Sequence, residues 1–499
     1  MINISVEQLC KATQGHLKAG YLPLDLCGQH IINEVSTDTR TVNEGDLFIA
    51  LKGPSFDAHQ LLQSALEKGA AVLLVESDAQ VNIPSNTIVV EVADTRIALG
   101  LLGRFIKQQI DGLKCAAITG SNGKTTCKEL LSAILAIHSG NADKVLATAG
   151  NFNNDIGLPL TLLRLQPQHQ FAVLELGANH IGEIAYTAAL AQPSVALVNN
   201  VMPAHLEGFG SLEGVATAKS EIWSSLDSDG VAVVNLDANF ADQFMHSLHS
   251  KNQHVLSFAK ETQHFDNVDV FATDIKSNEL GQASFELNVK VTALLTHIKR
   301  KIDSTNTVEK ISIQLNLPGQ HNVSNALAAS TMALALGCSL TDIQEGLQNL
   351  EQVAGRVNCS VISPSLTVID DTYNANSASV KAGIDLLAQY QGEHLLICGD
   401  MGELGEYAQQ EHQSIGEYAQ QQQIEQLFTV GKLSQFATNA YNAATENTVA
   451  KHFSDKQQLK LAVDAYLSGQ QSKVVVLVKG SRSAKMEDIV AFIKQKFTA

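Results

Sequence analysis

The stretch Gly120-Ser121-Asn122-Gly123-Lys124-Thr125-Thr126 sets a lysine and two hydroxyls directly behind a glycine turn. Before it runs Cys115-Ala-Ala-Ile-Thr119, apolar and of strand length. After it, from Lys124 onward, Leu130, Leu131, Ile134 and Leu135 fall on one face of an amphipathic helix. Strand, glycine turn and helix is the setting in which backbone N–H groups at a helix start cradle phosphate oxygens. Lys124 would then reach the terminal phosphates of a nucleotide, and the Thr125 hydroxyl would ligate Mg²⁺. The common spacing G-x-x-x-x-G-K-[ST] wants a glycine where Ile118 stands, so the loop is a shortened one. The competing reading is a plain strand–helix turn carrying an exposed lysine.

In a doubly wound sheet, ligands bind beyond the carboxyl ends of the strands. Other strand-like runs here also end in polar residues. "VLAT" leads into "AGNFNNDIGLP", "FAVLEL" contains Glu175 and leads into "GANHIGEI", and "SVALVNNV" leads into "MPAHLEGFG". Glu175 could hold Mg²⁺ or position a nucleophile, where the bland reading is a solvated strand end. His205 could ligate a metal or simply make a hydrogen bond. Asn151, Asn153 and Asn154 could bind substrate or pin turns.

These runs belong to an α/β chain of 499 residues, long enough for about three domains. Residues 1–110 mix short strands with turn-rich stretches, and 111–319 alternate apolar strands with helices, as in a parallel sheet. Within the latter, 260–315 is polar and alternating, which suggests an antiparallel annex, and "KRKIDSTNTVEK" reads as an exposed turn. Alternation restarts in 320–499 with "LTVIDD", "HLLICGD", "QLFTVG" and "KVVVLVKG", a second α/β unit.

Hydrophobic residues make up 45 %, enough for several cores. With 51 acidic and 34 basic residues the net charge is −17, which argues against a nucleic-acid partner. No apolar run of membrane-spanning length occurs, and the N-terminus lacks the pattern of a secretory signal. No membrane association and a cytoplasmic location are expected. The seven cysteines are scattered, with no Cys-x-x-Cys pair, and read as reduced thiols.

The motifs "STDTRTVNEGDLFIALKG", "TGSNGKTT", "GNFNNDIGLPLTLL", "LELGANHIGEI", "NVMPAHLEGFGSLEGVATAKSEI", "LPGQHNVSNALAA", "AGRV", "IDDTYNANSASVKAGI", "GDMGELG" and "VLVKGSRSAKME" together resemble the Mur ligase family. That family builds the peptide of bacterial cell walls, and the resemblance covers nearly the whole chain. It uses T-G-x-N-G-K-[ST], which matches the shortened loop. Within the family, "GDMGELG" and "YNANSAS" resemble the branch that adds a D-Ala-D-Ala dipeptide. The branch adding the third peptide residue typically carries D-N-P-R, absent here, and folylpolyglutamate synthase is a further relative. Ser377 stands where the family usually has proline.

The resemblance implies three α/β domains: a small N-terminal UDP-sugar domain, a central P-loop parallel-sheet ATPase domain and a C-terminal Rossmann-like domain. It implies ATP, two Mg²⁺ ions, UDP-MurNAc-tripeptide and D-Ala-D-Ala, an acyl-phosphate route and a monomer. Gly120, Ser121, Asn122, Gly123, Lys124, Thr125 and Thr126 would take the phosphates. Asn322 and Asn325 would lie near adenine, with a helix N-cap as the bland alternative. Arg356 would face the phosphates and Asp371 the ribose, brought in when the last domain closes, or each would make an ordinary interdomain salt bridge.

Thr125, Glu175 and His205 would hold the metals, together with Lys219 if carbamylated; on residue type alone Lys219 reads as a solvent lysine. Lys124, Glu175, His205 and Lys219 would form the catalytic set. Tyr373, Asn374, Asn376, Lys479 and Arg482 would line the dipeptide site, and Asn151 and Asn154 the peptide path. Ser36, Asp38 and Arg40 would bind the UDP-sugar, with Asp38 holding Arg40 in place, and Lys52, Gly53 and His59 as weaker candidates. From other classes, a P-loop switch or transport ATPase would hydrolyse nucleotide with no amino-acid acceptor. A regulator that has lost catalysis is opposed by the presence of Lys124, Glu175, His205 and Lys219.

Overall fold

Short apolar runs bounded by turn residues become strands buried on both faces. Phe171–Glu175, Val195–Val198 and Val231–Asn235 are buried throughout, and Lys114–Thr119 is buried from its second residue on. Such strands need helices on both sides. The computed structural model describes residues 2–80, 82–203, 206–292, 307–350, 355–444 and 449–498. Among these, Lys114–Thr119 lies inside a nine-stranded sheet, between Phe171–Glu175 and Val195–Val198 and parallel to both.

The chain first builds outward on one side, through Val145–Ala147 and back to Phe171–Glu175. It then crosses to the other side at Val195–Val198. The reversal leaves a crevice at the carboxyl ends of these strands, where the glycine turn lies. Farther along, Val270–Ser277, Gln282–Lys290 and Val308–Pro318 pair antiparallel, as the polar alternation suggested. The expected turn at 299–310 lies mostly outside the described residues.

Side chains alternate across the central sheet. Ala116, Ile118 and Val173 face a core shared with helices Lys124–Ser139, His321–Leu336 and Leu340–Gln348. Cys115, Ala117, Ala172 and Leu174 face a second core, which runs through helix Thr95–Gln108 into the first unit. That unit is a five-stranded sheet whose strands at 35–36, 47–49, 72–76 and 88–92 are parallel.

The third unit is a six-stranded sheet in the order 358–363, 366–371, 474–479, 393–399, 426–430, 451–453, parallel except for its first pair. The expected division at 319/320 would part a strand from two helices that share its core. We propose that the central unit extends to Gln348. The first unit likewise joins the central one through a common core.

Gly346 reports on this arrangement. A Cβ there would sit 2.5 Å from the Ile134 Cα, so the two helices touch backbone to backbone. Gly346→Val is expected to destabilise the central unit by about 1–3 kcal/mol through overpacking. Urea unfolding with matched m-values checks this.

Candidate active site

Gly123 ends the turn in the left-handed region (φ 78°) and caps helix Lys124–Ser139 without a side chain. A Cβ there would meet Asn325 Oδ1 at 2.4 Å and Asn199 Nδ2 at 2.6 Å. Conformation and space thus both require glycine. The turn is held by amides from two directions. Asn200 Oδ1 accepts from Asn122 N (2.9 Å), and Asn199 Nδ2 donates to Asn122 O (3.0 Å) and to Asn325 Oδ1 (3.1 Å). Ser121 Oγ donates to Met202 O (2.9 Å) and accepts from Met202 N (3.0 Å).

Asn325 Nδ2 passes the chain on to Asn322 Oδ1 (2.9 Å), and Asn322 Nδ2 reaches Pro318 O (2.7 Å). Neither asparagine is the N-cap of its helix, a position held by Gln320. Both are buried, and Asn325 lies against the glycine turn.

Thr125 lies on the buried side of the turn. Its hydroxyl donates to Glu175 Oε2 (3.2 Å) and accepts from Arg356 Nη2 (2.8 Å). Arg356 comes from the start of the third unit. Gly355 (φ 72°) precedes it and Val357 (φ 53°) follows it, the latter a β-branched residue in a region such side chains avoid. The guanidinium stacks on Tyr373 at 4.1 Å, and Arg482 lies over the same ring at 5.8 Å. Asn376 makes a second crossing, donating from Nδ2 to Asn122 Oδ1 (2.6 Å).

Lys124 Nζ donates to Gly120 O (2.7 Å) within its own loop. Burial pushes its pKa down; Glu175 opposes the shift, Arg356 adds to it and Glu403 opposes it. Lys219, on helix Leu212–Ser220, is only 4 % exposed. Burial first, and then the Lys124 charge, hold it well below the usual lysine range.

Glu175 is 2 % exposed, and its Oε1 makes no hydrogen bond among the described residues. Beside it sits Lys128, absent from the sequence-based candidates. Its ammonium is 3.9 Å from Glu175 Oε1, 2.6 Å from Glu129 Oε1 and donates to Thr148 O at 2.8 Å. A buried carboxylate oxygen with no donor is costly, and a cation would relieve it. No group of three or more His, Cys, Asp or Glu side chains among the described residues is placed to hold a metal. Magnesium does not require one, since it is commonly bound by one or two carboxylates together with phosphate oxygens and water. The residues present fit that ion.

Other candidates stand apart or serve locally. His205 lies outside the described residues. Asp371 pairs with Lys479, which is 2 % exposed and also donates to Asn374 O (3.0 Å). Arg482 is exposed and pairs with Glu487 (3.2 Å). Asn151 is exposed on a turn, and Asn154 Oδ1 accepts from Gly157 N (2.8 Å), fixing the next helix.

In the first unit Asp38 grips Arg40, with Nη2 to Oδ2 at 2.6 Å, and this contact lowers the carboxyl pKa to about 2. Ser36 Oγ donates to Asp38 O (2.8 Å). His59 Nδ1 lies 2.6 Å from Asp57 and its Nε2 accepts from Glu76 N (3.0 Å); the Lys52 backbone forms an isolated antiparallel β-bridge with that of Asp57.

Family models match along all three units: the Mur ligase family catalytic domain at residues 31–104, the Mur ligase middle domain at 118–333 and the Mur ligase glutamate ligase domain at 355–482. The chain belongs to the Mur ligase family. Among relatives of this Mur ligase, the UDP-N-acetylmuramoyl-tripeptide–D-alanyl-D-alanine ligase of Haemophilus influenzae is 39 % identical over 99 % of both chains. A crystal structure of MurF from Acinetobacter baumannii superposes with TM-score 0.85 at 36 % identity, covering 99 % of both chains. MurF from Thermotoga maritima, solved in complex with ADP, gives TM-score 0.75 at 25 % identity over 93 % of this chain and 98 % of that one. No helix among the described residues is long and apolar enough to cross a membrane.

For this Mur ligase, Gly123→Ala would force a side chain into the Asn199–Asn325 contact. The expected cost is about 1–3 kcal/mol in urea unfolding, with weaker ADP binding by calorimetry.

Proposed function

We propose that this chain is the ATP-dependent ligase that joins D-Ala-D-Ala to UDP-MurNAc-tripeptide, a cytoplasmic step in making peptidoglycan precursors. What carries the reading is a phosphate loop whose Thr125 is met by Glu175 and by Arg356 of the third unit. It stands in a chain that matches ligases of that name along its whole length.

A free carboxylate does not acylate an amine at neutral pH. Transfer of the γ-phosphoryl group to the tripeptide carboxylate gives an acyl phosphate, the dipeptide amine attacks its carbonyl carbon, and phosphate leaves from the tetrahedral intermediate. Phosphoryl transfer needs positioning and charge neutralisation more than covalent help. The backbone N–H groups of the turn and Lys124 take the phosphates. Arg356 adds positive charge only when the third unit is docked.

Thr125 and Glu175 would hold one Mg²⁺ with the phosphates and His205 would help hold a second, beside a carbamylated Lys219. Such ions would supply charge neutralisation between carboxylate and phosphate. Asn322 and Asn325 set the adenine end, and Asp371, held by Lys479, the ribose. Tyr373, Asn374, Asn376 and Arg482 border the dipeptide, Asn151 and Asn154 the peptide path, and Ser36, Asp38 and Arg40 the UDP-sugar. The chain acts as a monomer.

The state of Lys219 follows from its surroundings. Burial disfavours the Lys219 charge, and the positive charge of Lys124 adds to that. A neutral amine is the form that adds CO₂, and the resulting carbamate attracts Lys124 instead of repelling it. Lys219→Ala is expected to lose most turnover and to regain part of it with bicarbonate or a short carboxylic acid; full activity without rescue would exclude the carbamate.

For the reaction itself, phosphate release is measured with ATP, Mg²⁺ and UDP-MurNAc-tripeptide, with and without D-Ala-D-Ala, and the pentapeptide product is weighed by mass spectrometry. Release that requires both partners is expected. Tripeptides ending in meso-diaminopimelate or L-lysine then identify the third residue. Release independent of the dipeptide would point to an ATPase of another kind.

A further inference from the structure

Glu221 lies two residues beyond Lys219, where helix Leu212–Ser220 gives way to the short 3₁₀ helix Glu221–Ser225. Its carboxylate reaches a different element. Oε1 accepts from Gly182 N (2.8 Å) and Oε2 from Ala185 N (3.0 Å), thirty-nine and thirty-six residues earlier in the chain. These N–H groups stand at the start of helix Glu183–Ala191. A helix start needs acceptors for such groups, and the residue just before the first turn usually supplies one. Here that residue is Gly182 (φ 97°), which has no side chain to give. The cap comes instead from the far element, as a full carboxylate, which suits the positive end of a helix.

Helix Glu183–Ala191 continues from the loop that follows Glu175, and that loop is pinned along its length. Leu176 N donates to Ile118 O (2.9 Å) and Gly177 N to Asn153 O (2.8 Å). Asn179 N donates to Glu183 Oε2 (2.8 Å). A Cβ on Gly208 would collide with Asn179 O, so helix Leu206–Phe209 rests on the loop backbone to backbone. Glu221 fastens the end of the Lys219 helix to this same body.

Side chains two residues apart on a helical path point to nearly opposite sides. Glu221 is half-buried and holds the loop, while Lys219 is 4 % exposed. A lysine stem is flexible, so its amine keeps one place only if the backbone that carries it does. Capping helix Glu183–Ala191 would need no more than a local serine or aspartate. The pairing seen here spans the element that carries Lys219 and the one that follows Glu175.

We infer that Glu221 is a positioning residue for Lys219: by clamping the end of its helix to the body behind Glu175, it fixes where the Lys219 amine stands relative to that carboxylate. This rests on the ligase reading and the carbamate above. In carbamate formation the neutral amine attacks CO₂, one N–C bond forms and one proton leaves to water, giving an N-carboxylate. Glu221 acts on those atoms through the backbone.

The test uses the full-length protein with E221Q, K219A and the double variant. Glutamine keeps one acceptor and loses the charge, so E221Q should lower kcat about five- to thirtyfold. KM for ATP and for D-Ala-D-Ala should each stay within about twofold. In the K219A background the same change should cost less than about twofold, because the residue it positions is gone. A second readout needs no turnover. With ¹³C-bicarbonate and no nucleotide, the carbamate carbon of the wild-type protein should give an NMR signal that weakens in E221Q. A kcat loss under about threefold, an E221Q loss repeated in full on top of K219A, or a carbamate signal unchanged by E221Q would overturn the assignment. Wild-type protein that does not consume D-Ala-D-Ala would bring down the ligase reading itself, a failure seen before any variant is measured.

Discussion

The Thr125 hydroxyl donates to one part of the chain and accepts from another. It donates to Glu175, at the end of a neighbouring strand, and accepts from Arg356, in the third unit. A hydroxyl has one proton to give, so these two bonds fix which side of Thr125 is anionic and which cationic. The glycine turn must bring Thr125 to that spot, the crossing of the sheet must bring Glu175 beside it, and the backbone around Gly355 and Val357 must aim the guanidinium. Most of the architecture can be read as meeting those three demands.

Charge is handled unevenly around this point. Lys128 is buried yet satisfied, with a carbonyl and two carboxylates in reach. Lys219 is equally buried, and the Lys124 charge adds to burial in disfavouring its ammonium. Lys128 thus behaves as structure, locking the ends of two strands to helix Lys124–Ser139. Two lysines of similar burial are therefore chemically opposite, and the difference lies in what faces them.

Much of this could be read from the residues. The strand, turn and helix around Lys124 fall where the apolar runs and the glycines put them. The antiparallel annex followed from a change of period. Glu175 stood out as an acid closing an apolar strand. Lys128 did not, because a lysine four residues after Lys124 on a helix looks like a solvent-facing residue until a neighbouring strand covers it. Asn199 and Asn200 end an apolar strand at the same edge as Glu175, and that position was the available signal. The proposed extension of the central unit past 319 rests on helix His321–Leu336, which is buried nearly all round, and pattern alone does not say which sheet buries it. Asn154 shows the opposite limit: a polar residue beside a candidate site can be spent on holding the next helix.

Asn376 joins two of these levels. Its Oδ1 accepts from Ser379 N (2.9 Å) and caps helix Ser377–Leu387, while its Nδ2 donates to Asn122 of the phosphate loop (2.6 Å). Ser377, the first residue of that helix, stands where a proline would suit the backbone, so the helix start relies on this cap. One amide thus has its two ends committed to two bodies, and turning it over would break both bonds at once. The loop senses the third unit through the polarity of a single planar group, which gives the docked state a defined register in addition to contact.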